Sequence, residues 1–190
     1  MTAPIKTSDD VCNYALAKAG IGLRINSIYD GTPHARKILD VYSQTRDAIL
    51  RLGDWGFAQK TMTGSAAVGA TIPYPWNNAW VYPTDCLKVR SVYCASDVTD
   101  SNNPLPTLWC IEDDVSLGKV VLTRAPVATI IYTAQVTDPT QWDSMFLDAF
   151  AASLGQNLRS LLPEKEDPNT LKLMEEEFQM TAKAANEVIG

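Results

Sequence analysis

The residue types that most often carry chemistry are sparse in this chain. His34 is the single histidine, and it directly follows Pro33 at a helix start, so a His-based metal site has no second ligand of its kind and a Ser-His-acid arrangement would have to use it. Glu112-Asp113-Asp114 is the densest acid cluster. It permits two chemical readings, half of a glycosidase acid/base pair or a divalent-cation site, set against solvated acids beside a hairpin that keep a strand edge from mispairing. The solvated reading is preferred, because an EF-hand pattern is absent. Glu175-Glu176-Glu177 reads as a solvated helix face. Gly20 and Gly22 lack the spacing and the lysine of a phosphate cradle. The cysteines at 12, 86, 94 and 110 form no C-x-x-C pair and read as small buried thiols in a reducing compartment. The chain is therefore expected to have no catalytic residues, no metal and no cofactor.

The elements that would position these residues follow from the hydrophobic pattern. Thr7-Ser8-Asp9-Asp10 supplies a cap and first-turn acids for a short helix ending near Gly20, and Thr32-Pro33 opens a second, with Ile38, Leu39, Tyr42, Ile49 and Leu52 on its stripe. From Thr61 to Val136 the texture becomes prolines and β-branched runs. Strands are expected at 87–94, 107–112, 119–124 and 128–136, with a hairpin loop at 113–118 and a polar loop at 96–106. Helical period returns from Phe146 to Leu162 behind an Asp143 cap. A last helix starts at Asp167-Pro168, with Leu171, Met174, Phe178, Ala182, Ala185 and Ile189 on one face. The expected fold is α+β: a small helical bundle built from both chain ends, 1–60 and 137–190, with an inserted antiparallel β-rich subdomain, 61–136.

Composition bounds the function classes. At 46% hydrophobic and 20% charged residues the chain is ordinary and globular, and with a net charge of −6 it lacks the clustered basic residues that grip nucleic acid. No window is long and apolar enough for a bilayer, nor does residues 1–10 resemble a leader, so synthesis in the cytoplasm and no membrane partner are expected. Basic residues outnumber acids slightly in 1–60, whereas acids dominate 163–190, giving two ends of opposite sign. Trp76 and Trp80, set among Pro73, Pro75, Asn77 and Asn78, are candidate partly exposed anchors for a partner, and Asn102 and Asn103 in the polar loop are further candidates. At the other end Phe178, Ala185, Val188 and Ile189 are candidates for an interface, since apolar residues at a chain terminus gain little unless something covers them.

Val11-Cys12-Asn13-Tyr14-Ala15-Leu16-Ala17-Lys18-Ala19-Gly20, Arg46-Asp47, Trp55-Gly56-Phe57-Ala58, Tyr82-Pro83-Thr84-Asp85-Cys86-Leu87-Lys88-Val89 and Val136-Thr137-Asp138-Pro139, followed by Phe146, Ala149 and Leu154, stand in an order that covers most of the chain. In that order the sequence resembles the head-to-tail adaptor family of short-tailed bacteriophages, known as tail tubular protein A or head-completion protein. The resemblance implies a non-enzymatic structural protein of the virion, made in the host cytoplasm. Its subunits form a dodecameric ring on the portal protein, extend the DNA exit channel and offer a platform to the tail nozzle and to fibres or spikes. DNA would pass through without specific binding. In such a ring Phe178, Ala185, Val188 and Ile189 would face the portal or the next subunit, and Trp76, Trp80, Asn102 and Asn103 a tail component. Two other classes stay open: a virion-associated cell-wall hydrolase using Glu112 and Asp114 or another carboxylate pair, and a monomeric binding module using the β part.

Overall fold

The computed structural model describes residues 7–94 and 106–162. The expected last helix and the polar loop, with Phe178, Ala185, Val188, Ile189, Asn102 and Asn103, lie outside the described residues. What is described is α+β: helices α1 (Ser8–Lys18), α2 (Pro33–Leu52) and α3 (Ser144–Leu161), and strands β1 (Gln59–Thr63), β2 (Asn78–Val81), β3 (Cys86–Tyr93), β4 (Trp109–Asp114), β5 (Gly118–Thr123) and β6 (Thr129–Ala134).

Local chemistry starts each helix. Thr7 and Asp10 form a reciprocal capping box, with Asp10 N donating to Thr7 Oγ1 at 3.1 Å and Thr7 N to Asp10 Oδ2 at 3.1 Å. Thr32 caps α2 with Pro33 at the first helical position, and Asp143 caps α3. The chain between α1 and α2 is tied back onto α1: Asn13 exchanges two 3.0 Å hydrogen bonds with the Ile25 backbone, and Asp9 accepts from Ile28 N. Helices α1 and α3 approach so closely that a Cβ on Gly155 would stand 2.9 Å from Ala15 O, which explains a glycine in mid-helix. Helix α2 runs antiparallel to α3, because Lys37 near its start donates to Leu161 O at 2.9 Å and Thr45 accepts from Asn157 at 2.9 Å. One cluster of aromatics fills the space beneath. Phe146 packs edge-on against Trp55, Phe57 and Trp142 at centroid distances of 5.3, 5.2 and 5.1 Å, and Phe150 meets Tyr42 at 5.2 Å.

The β part is two antiparallel three-stranded sheets, β1-β6-β3 and β2-β5-β4. Trp80 and Val121 of the second meet Val89, Val92, Ile130 and Tyr132 of the first in a shared core. The segment 64–77 folds as a strap over the other face of the second sheet, where Ala67 and Trp76 pack with Ala79, Val120 and Leu122. Strand β5 is therefore buried on both faces, and its apolar run Val120-Val121-Leu122 follows from that. Gly118, with φ +70°, makes the tight β4–β5 turn that a side chain would resist. Strands β1 and β2 were not expected. Gln59-Lys60-Thr61-Met62-Thr63 is an exposed edge with little apolar content, and Asn78-Ala79-Trp80-Val81 lies in a proline-rich context that argued against a strand.

Candidate functional site

Three places bring functional side chains together. The first is the joint between the helical body and the first sheet. Arg90, on β3 and nearly buried, donates from Nε to Thr133 Oγ1 at 2.8 Å, from Nη1 to Gln59 Oε1 at 2.9 Å and from Nη2 to Trp55 O at 2.7 Å. Asp54 lies alongside, 3.6 Å from Arg90 Nε and 3.2 Å from Lys88 Nζ. On α2, Asp47 accepts from Arg46 Nε at 2.8 Å and from Gln135 Nε2 at 2.7 Å, so one carboxylate links the helix to the chain leaving β6. Asp85 accepts from Lys60 Nζ at 2.6 Å and Tyr132 Oη at 3.0 Å. Burial alone would raise the Asp85 carboxyl, but the Lys60 and Tyr132 hydrogen bonds outweigh it and hold the group below its ordinary value. These groups tie the helical body to the first sheet.

The second place is the hairpin end of the second sheet. Asp114 accepts from Thr71 N at 2.9 Å and from Ser116 N and Leu117 N at 2.8 and 2.9 Å. The Thr71 bond, then those from Ser116 and Leu117, keep its carboxyl low, the reverse of what a general acid needs. Its partners fix the strap beside the β4–β5 turn. Exposed apolar side chains occur on both segments that this bond joins: Val68, Ile72 and Tyr74 on the strap, Tyr74 being 96% exposed, and Val115 and Leu117 on the turn, Val115 being 104% exposed. Beyond Thr71 the strap runs on to the other end of β5, where Arg124 Nε donates to Pro75 O at 3.1 Å; Glu112 and Asp113, also exposed, precede the turn.

The anchor role expected for Trp80 is corrected here. Trp80 is only 7% exposed, and its indole Nε1 donates to Thr123 Oγ1 at 2.8 Å inside the core between the sheets. The first sheet supplies the cover that its local sequence did not foretell. Trp76 is half-buried against the outer face of the second sheet. The residue left outside is Tyr74, between Pro73 and Pro75, and composition held a usable signal: an aromatic flanked by prolines has few ways to reach a core.

The third place is a groove of about 410 Å³ between α2 and α3, lined by Val41, Gln44, Thr45, Ala48, Ser153, Asn157, Ser160 and Leu161. Elsewhere the residues singled out for chemistry stand apart. His34 is exposed on the first turn of α2. Cys12, Cys86 and Cys94 are buried and Cys110 is half-buried, none of them in a disulfide. Burial, then the nearby Asp9, pushes the Cys12 thiol up to about 12, and burial raises Cys86 and Cys110 as well, which leaves little thiolate for nucleophilic work. Among the described residues no group of three or more His, Cys, Asp or Glu is placed to hold a metal ion, and no helix is long and apolar enough to cross a membrane. In comparisons with known proteins, no family model matched the chain and no curated protein matched it.

Proposed function

We propose that this chain is a structural subunit of a short-tailed phage virion, an adaptor whose ring sits on the portal protein and receives the tail. The carrying observation is where the resembling segments fall. Val11–Gly20 builds α1 against α3; Asp47, Trp55 and Asp85 are in or beside the joint; Val136 and Phe146 anchor the chain returning from the sheets. The resemblance thus follows a helical body rigidly joined to a β part, the division of labour that a ring subunit with two different neighbours requires. The strap and the β4–β5 turn, with exposed Tyr74 and Val68 on the one and Val115 on the other, give the β part apolar side chains suited to a tail nozzle, fibre or spike protein, taking over the role first expected of Trp80.

The ring would be a homo-oligomer, a dodecamer by the resemblance, with DNA passing through a channel that the net charge of −6 makes unattractive to phosphate. Mixing the purified chain with purified portal rings tests the reading. A complex of fixed stoichiometry, seen as one added ring by electron microscopy, is the expected result. A chain that stays monomeric beside portal, at concentrations well above those in an infected cell, would overturn it.

A further inference from the structure

Among the described residues, two strand edges of the β part pair with nothing, and the ladders show which backbone groups they offer. Gly64 N donates to Ala128 O at 2.7 Å, so along β1 the groups of Met62 and Lys60 also turn toward β6. Those of Gln59, Thr61 and Thr63 turn outward. In the second sheet Ala67 N donates to Ala79 O at 2.8 Å and Val81 N to Ser65 O at 2.9 Å, which leaves Asn78 and Trp80 to bond β5 at Thr123 and Val121. Strand β5 then bonds β4 through Val120 and Leu122, which stand opposite Glu112 and Cys110. The N–H and C=O groups of Ile111 and Asp113 are therefore turned outward.

The two edges lie on opposite sides. Residues 65–67 carry the chain from β1 to the flank of β2, and Thr107 N donates to Val92 O at 2.8 Å before β4 begins, so the sheets meet at two corners. Around the unit the order is β1-β6-β3, then β4-β5-β2, and β4 stands across from β1. Neither strand contains proline or shifts register against its neighbour, and Lys60 folds back to Asp85 instead of guarding the edge. Ile111 shares a face with fully buried Val121, yet it is 41% exposed.

Charge and spacing select what covers these edges. Strand β1 carries Lys60 and no acid, whereas β4 carries Glu112, Asp113 and Asp114 and no base. Two β4 edges side by side would repel, and a β1 edge beside β4 is attracted. Set antiparallel with Thr61 opposite Ile111, Gln59 meets Asp113 and Lys60 stands directly across from Glu112. The Lys60 ammonium has donors left beyond its bond to Asp85.

We propose that β1 of one copy of this chain pairs antiparallel with β4 of the next, a head-to-tail contact that uses a different edge on each side and so repeats from copy to copy. The inference stands on the two edges and does not need the adaptor reading. Strand pairing over five residues buries less than a stable dimer requires, so the contact is read by trapping it.

The trap is a disulfide between copies of the full chain, each carrying Cys110→Ser. One copy bears Thr61→Cys and the other Ile111→Cys, and the mixture is oxidised mildly. Directly opposite residues fall within disulfide reach, so the mixed 61–111 bridge should form about tenfold faster than the bridge from Thr61→Cys to Tyr29→Cys, an exposed position on the helical body. Each single variant alone should form little dimer. Adding Thr63→Pro removes an outward N–H, which leaves the β1–β6 ladder and the melting curve in place but should bring the mixed bridge down to the control rate. If that proline lowers the melting temperature, Asp113→Pro on the other edge makes the same test. A mixed bridge no faster than the control, or one indifferent to both prolines, would overturn the proposal. So would a 61–61 bridge as fast as the mixed one, which would assign the edge to a two-fold β1–β1 contact.

Discussion

The helical body and the β part solve burial in opposite ways. The body gathers Tyr42, Trp55, Trp142, Phe146 and Phe150 into one continuous core, so each aromatic is covered by several others. The β part is thin: two small sheets share one cluster around Trp80 and Ile130, and a strap closes a second around Leu122. Among the described residues it leaves Val68, Tyr74, Val115 and Leu108 in solvent. A large single core specifies a rigid scaffold, whereas a thin layered unit exposes side chains that a partner can take up.

Cutting into the body should cost the most. Phe146 is fully buried and stacks or packs against Trp55, Phe57, Trp142 and Phe150, so Phe146→Ala is expected to destabilise the chain by about 3–5 kcal/mol in urea unfolding. A loss below about 1 kcal/mol would mean that the aromatic cluster does not hold the body together. Next comes the joint. Arg90→Met keeps the bulk of the side chain but leaves Trp55 O, Thr133 Oγ1 and Gln59 Oε1 without their donor, and about 2 kcal/mol of destabilisation is expected. The more telling result would be its form: body and sheets, followed by tryptophan fluorescence and by circular dichroism, should cease to unfold together.

The same contrast explains what could be read in advance. Helix starts are local, and Thr7 with Asp10, Thr32 with Pro33 and Asp143 with Met145 N are each written within a few residues of one another. Strands β3 to β6 were legible because β-branched runs survive in any context, and their observed limits fall within a few residues of those expected. Strands β1 and β2, the strap and the joint were not legible, since their partners are distant in sequence. Trp80 is buried by Thr123 and by the sheet opposite, and Arg90 reads as a surface residue until Trp55, Gln59 and Thr133 are brought to it. The candidate surface was misplaced by a few residues for this reason: the proline context was noticed, but of the tryptophans it surrounded Trp80 faces the sheet opposite and Trp76 packs from the strap onto the second sheet.

A smaller effect is expected where the strap is tied to the hairpin. Asp114 is held below the ordinary carboxylate value of 3.8 by the Thr71, Ser116 and Leu117 N–H groups. Its contribution is therefore present above that value and lost as pH falls through the lower folded one. Melting curves of the parent chain and of Asp114→Asn should differ at pH 7, the parent melting slightly higher, and should converge as pH drops below about 3.8. A gap that persists unchanged at pH 2 would show that the carboxylate charge is not what fastens the strap.

The least effect on stability, and the largest on attachment, is expected at Tyr74 on the strap and Val115 on the β4–β5 turn. Tyr74 and Val115 are almost wholly in solvent, so replacing both, as Tyr74→Ser with Val115→Ser, removes side chains that the folded chain does not use. Unfolding free energy should change by less than about 0.5 kcal/mol, as for surface substitutions generally. If a tail component covers these two side chains, the pair of changes removes an aromatic and an aliphatic contact from the interface, a loss of about 2 kcal/mol or more, and affinity should fall at least tenfold. Binding of the nozzle or fibre protein to assembled portal–adaptor complexes, compared for parent and variant, measures this directly. Portal attachment, which the adaptor reading assigns to the helical side, should be untouched by the variant. Equal loss of portal and tail binding would erase the distinction between the two regions, and full retention of tail binding would move the docking surface away from the strap and the turn.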